Sequence, residues 1–96
     1  MVNKAHTATA RRIAARYNAT FSPNGPYDIV GADITIEIET SATLAEGVER
    51  LQGAQGARYI AVTNKEAIVE AMRLTAGSGI GVMDPNGEIM KQAGNG

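Results

Sequence analysis

Ninety-six residues, 44% of them hydrophobic and 20% charged, describe one globular domain with a modest core rather than a disordered chain. A formal charge of −1 confines any polyanion binding to a local patch, and 4% aromatic content without Trp leaves no set of rings on which bases could stack. The absence of Cys excludes a disulfide framework, thiol catalysis and Cys-ligated zinc, and a single His, His6, argues against a His-rich metal site or a Ser-His-Asp triad.

No apolar run approaches the roughly 18 residues of a membrane span and no signal peptide is legible, so a cytoplasmic protein with no membrane partner is expected. The chain reads as a single domain over residues 1–91, followed by a flexible tail over 92–96. Neither an internal repeat nor a linker interrupts it.

In chain order, residues 6–17 carry Ala10, Ile13, Ala14 and Tyr17 at helical spacing. Arg11, Arg12 and Arg16 make the opposite side of that helix basic: either a solvated face or a cationic ridge suited to phosphates. Asn18-Ala19-Thr20-Phe21 leaves the helix, with a short strand following it, and a dense turn, Ser22-Pro23-Asn24-Gly25-Pro26, leads to Tyr27-Asp28-Ile29-Val30, which reads as a strand. Gly31-Ala32-Asp33 is the tight turn into a second strand, Ile34-Thr35-Ile36-Glu37-Ile38-Glu39-Thr40.

Leu44, Val48 and Leu51 at i, i+4, i+7 predict an amphipathic helix over 44–52, with Gly47 weakening it and Gly53 ending it. Arg58-Tyr59-Ile60-Ala61-Val62-Thr63 is a buried strand, Asn64 caps a helix carrying Ala67, Ile68, Ala71 and Met72, and Ile80-Gly81-Val82-Met83 is turned by Asp84-Pro85-Asn86-Gly87 into Glu88-Ile89-Met90-Lys91. Antiparallel hairpins in the first half and a strand-helix-strand crossover in the second predict a mixed α/β sheet flanked by helices.

Strand alternation places Thr35, Glu37 and Glu39 on one face, with the two glutamates roughly 6.5 to 7 Å apart along the strand and Asp28 on the neighbouring strand. No Lys or Arg lies between Asp28 and Glu39 to neutralise them. The cluster is therefore well solvated, has one member protonated, or holds a cation such as Mg²⁺; the plainer alternative is a half-buried hairpin strand whose acidic face meets water. Arg50 is placed either for a phosphate or for an ion pair with Glu46 at i−4, and Gln52 reads as an exposed helix residue. Lys65, after a strand end, is either solvated or a source of positive charge for the cluster.

A helix, three strands, a helix and a strand, with an Asp on the second strand and two acidic residues on the third, resemble the PD-(D/E)XK nuclease superfamily. Pro26-Tyr27-Asp28 is similar to its proline-aspartate motif with one residue inserted, and Glu37-Ile38-Glu39 to its acidic-x-Lys motif with Glu in place of Lys. The resemblance covers residues 5–63 and implies a restriction endonuclease-like core with a C-terminal helix and β-hairpin. It also implies Asp28, Glu37 and Glu39 as catalytic and metal-ligating residues for Mg²⁺ or Mn²⁺, with no organic cofactor, DNA as partner and a homodimer as the assembly. The family's first helix often carries a further acidic residue; residues 6–17 contain none, leaving His6 or Arg12 to face the site.

Two function classes follow from this. One is a small metal-dependent nuclease that hydrolyses DNA phosphodiesters, with Arg11, Arg12, Arg16, Arg50 and Gln52 contacting the nucleic acid. The other is a catalytically inactive relative that binds nucleic acid or protein.

Overall fold

The computed structural model describes residues 4–94. Thirteen residues form α1 (Lys4–Arg16), on which Thr9, Ala10, Ile13 and Ala14 are buried. The helix ends in a Schellman arrangement: Asn18 takes the left-handed conformation at φ 51°, and the Ala19 N–H donates to the Ala14 carbonyl at 2.9 Å.

Then come β1 (Thr20–Phe21), β2 (Ile29–Val30), β3 (Ile34–Glu39), α2 (Leu44–Leu51) and β4 (Ala57–Val62). A 3-10 turn (Lys65–Ala67) capped by the Asn64 side chain leads into α3 (Ile68–Leu74), followed by β5 (Gly81–Met83) and β6 (Ile89–Lys91). Chain order is also spatial order: the six strands lie β1-β2-β3-β4-β5-β6 in one sheet. The two outer pairs on one side and the final pair are antiparallel, while β3, β4 and β5 run parallel. The mixed α/β sheet expected from the sequence is thus present, with three α-helices among the described residues.

Each face of the sheet is covered by a different helical layer. On one, Ala10, Ile13 and Ala14 of α1 pack against Ile29, Ile36, Ile38, Tyr59, Ala61 and Met83. On the other, Leu44, Val48 and Leu51 of α2 join Ile60, Val62, Ala67, Ala71, Ile80 and Val82. Being covered on both sides explains why β3 and β4 are buried along nearly their whole length. It also removes the alternative in which the acidic face of β3 meets water.

The strand expected over 27–30 is shorter than its sequence pattern, because side chains take over its backbone pairing beyond the Ile29–Ile36 register pair. Asp28 N–H donates to Glu37 Oε1 at 3.0 Å, and Ile38 N–H donates to Asp28 Oδ2 at 2.8 Å. Beyond β6, where a flexible tail is expected, Tyr59 donates to Gln92 Oε1 at 3.1 Å and Gly94 N–H to the Gly79 carbonyl at 3.0 Å. The last two residues of that expected tail, 95 and 96, lie outside the described residues.

Candidate metal centre

Glu37 and Glu39 project from β3 toward α2, each beside a strand partner of the apolar layer, Ile60 and Val62. Two glutamates therefore stand where an all-apolar layer would ordinarily continue, and they are 1% and 4% exposed. Asp28 completes the group from the position just before β2: one carboxylate oxygen from each of the three lies within 4.8 Å of the others. The side-chain bonds between Asp28 and β3 hold two of these carboxylates in place through backbone N–H groups, so their orientation is built into the sheet.

The neutralising charge comes from outside the acidic segment. Arg50 on α2 donates Nε to Glu37 Oε2 and, at 2.8 Å, Nη2 to Glu39 Oε2. Of the two expected roles the ion pair is formed, with Glu37 and Glu39 in place of Glu46. A signal for it existed in the sequence: Gly47 and Arg50 are three apart on the flank of the Leu44, Val48, Leu51 stripe, so whatever they face lies next to the buried side of the helix. Gly47 supplies the space. A Cβ there would stand 2.5 Å from Glu39 Cγ and 2.5 Å from Glu39 Oε2, so a side chain at this position and the observed Glu39 exclude each other.

His6 Nε2 lies 3.3 Å from Asp28 Oδ2, so α1 reaches the group through His6. Arg12 does not reach it. Its Nε donates to the Pro85 carbonyl at 3.2 Å, and Arg16 donates Nη1 to the Asn86 carbonyl at 2.9 Å and pairs with Glu88. His6 and Arg16 are ten residues apart, about 15 Å along the helix axis, so the two ends of α1 serve different places. Arg12 and Arg16 clasp the β5–β6 turn together with Tyr17, whose hydroxyl donates to the Gly87 carbonyl at 2.5 Å. Arg11 is exposed on α1, Gln52 is exposed and caps α2 through its backbone, and Lys65 is exposed on the 3-10 turn.

Burial dominates the electrostatics of the pair on β3. It raises the Glu37 pKa, opposed without being cancelled by the Arg50 and Asp28 N–H hydrogen bonds. It pushes Glu39 up to about 7, opposed by Thr43 and Arg50 and reinforced by the charges of Glu37 and Asp28. Arg50 is raised, first by its hydrogen bond to Glu37.

A folded-state pKa above the unfolded value favours folding at low pH, and that contribution disappears as pH rises through the folded value. Without metal, stability should fall between about pH 4.5 and pH 7 by an amount on the order of 3 kcal/mol. Urea denaturation of wild type and Glu39→Gln across this window checks it, with the variant expected to show a flatter profile. Equal slopes would relocate the titration to another group.

Compared with models of protein families, with curated proteins and with solved structures, the chain matches none. Among the described residues no helix is long and apolar enough to cross a membrane.

Proposed function

We propose that this chain is a small divalent-metal-dependent phosphodiester hydrolase acting on DNA, built on a restriction endonuclease-like core. The observation that carries the reading is the convergence of Asp28, Glu37 and Glu39 within 4.8 Å, with the two glutamates nearly excluded from water and Asp28 partly buried. Burying like charges together is unfavourable unless something binds them, and an all-oxygen, carboxylate-rich set suits a hard cation such as Mg²⁺ or Mn²⁺. The arrangement α1, β1, β2, β3, α2, β4, with Asp28 preceding Glu37-Ile38-Glu39 and the two helices on opposite faces, supports the same reading.

Asp28, Glu37 and Glu39 would hold the ion. When bound, such an ion polarises a phosphodiester and lowers the pKa of water. The chain's own residues provide the frame. Ile38 N–H orients Asp28, and Asp28 N–H orients Glu37. Ligation requires deprotonated Glu39, so cation affinity should increase as pH rises through about 7. Arg50, with its side chain 48% exposed, offers the positive charge that Glu39 cannot supply in the position where the resembled motif has Lys. A homodimer belongs to this reading, because one 96-residue domain offers little surface to hold a duplex.

Calorimetric titration of Mg²⁺ and Mn²⁺ into wild type and Asp28→Ala/Glu37→Ala, followed by cleavage assays on mixed DNA structures, tests the proposal. Binding and cleavage lost together in the double variant are expected. One observation favours the second reading, an inactive nuclease-like module that binds nucleic acid or protein: Arg50 already neutralises part of the cluster. Metal binding without cleavage on any DNA structure would favour that module.

A further inference from the structure

A charged side chain, rather than an apolar one, closes the carboxylates off from solvent. The Glu37 and Glu39 side chains are 2% and 5% exposed, whereas the Arg50 side chain lying against them is 48% exposed. The guanidinium therefore stands between the carboxylates and water, with Nε and Nη2 turned inward. The Arg50 side chain is 48% exposed, so rotation about its side-chain bonds can move the fork outward while the helix stays packed.

Two of the three carboxylates Arg50 would leave behind, those of Glu37 and Asp28, are already held without it. Glu37 Oε1 accepts from Asp28 N–H, and Asp28 Oδ2 accepts from Ile38 N–H. The oxygens Arg50 occupies, Glu37 Oε2 and Glu39 Oε2, belong to the same carboxylates that would ligate a cation.

We propose that Arg50 is an exchangeable latch: it neutralises the cluster in the metal-free protein, and a divalent cation entering among Asp28, Glu37 and Glu39 releases it outward to take a phosphate-type oxyanion. The inference rests on the metal-site reading above and adds a regulation to it. Guanidinium and metal draw on the negative charge of the same carboxylates, so each weakens the hold of the other. Once released, the fork has lost two anionic partners, and its planar pair of donors matches a phosphate. By linkage, cation and anion must then tighten each other's binding by the same factor.

Calorimetric titration of Mg²⁺ into the full chain, with and without excess dimethyl phosphate, tests the latch. Dimethyl phosphate should tighten Mg²⁺ binding to wild type. Arg50→Gln should bind Mg²⁺ about fivefold or more tighter than wild type and be indifferent to dimethyl phosphate. Equal or weaker Mg²⁺ binding by the variant, or the same anion effect in both proteins, overturns the latch while leaving the metal site standing. Absence of Mg²⁺ binding in both proteins sinks the metal-site reading and the latch together.

Because Arg50→Gln strips a partner from two buried carboxylates, the exchange is also read in wild type by nuclear magnetic resonance. The Arg50 Nε–H signal, assigned with Arg50→Lys, should be shielded from solvent exchange without metal and lose that protection as Mg²⁺ saturates. Protection unchanged at saturation overturns the proposal.

Discussion

Replacing Gly47 with Ala is expected to destabilise the protein, although in an ordinary helix the same change would stabilise it by about 1 kcal/mol. The methyl group would sit 2.5 Å from Glu39 Cγ and 2.7 Å from Glu39 Cδ, closer than side-chain carbons approach one another. Glu39 lies between β3 and α2, near Ile60 and Val62, and is 4% exposed, so little space exists into which it can withdraw. Overpacking of this kind costs about 1–3 kcal/mol and outweighs the propensity gain. Urea denaturation should show the loss, and Glu39→Ala in the same chain should recover most of it because it removes the atoms the methyl group meets. A stabilised Gly47→Ala would mean that α2 rides further from β3 than the 2.5 Å approach implies.

Arg50→Met should cost about 2 kcal/mol at pH 8 and clearly less at pH 5.5. Removing one partner of a buried ion pair strands the other charge, and the expected loss is below that of a fully buried pair because solvent reaches the guanidinium. The pH dependence follows from Glu39. With its pKa near 7 it takes up a proton at pH 5.5 and has less need of Arg50, whereas at pH 8 its charge must be compensated. Met keeps much of the aliphatic stem, which separates the lost charge from lost packing. Denaturation midpoints at the two pH values decide the matter, and an equal loss at both would assign Arg50 a packing role.

The sequence by itself determined the elements and their type. Ala10, Ile13 and Ala14 repeat at helical spacing and are buried on α1; Leu44, Val48 and Leu51 do the same on α2. The alternation along residues 34–39 placed Glu37 and Glu39 on one side of β3, where they are found, because a period of two is a local property of extended backbone. The switch from hairpins to crossovers likewise followed from connection lengths, since parallel neighbours need a helix between them.

Only the tertiary structure decided what that acidic side faces. Residues 34–39 look half-solvated when read alone, and burial on both faces depends on which helices cover the third strand of the sheet. The partner of the glutamates stands 11 and 13 residues further along the chain, on a helix folded back across them, so charge patterning within the strand could not reveal it. Gly47 reads as a weak point in a helix until Glu39 is seen against it. Arg12 and Arg16 read as either a solvated face or a phosphate ridge, and the β5–β6 turn that they hold is seen only in the structure. In each case the deciding contact joins residues from different elements, and its strength depends on how much water the packing of those elements removes.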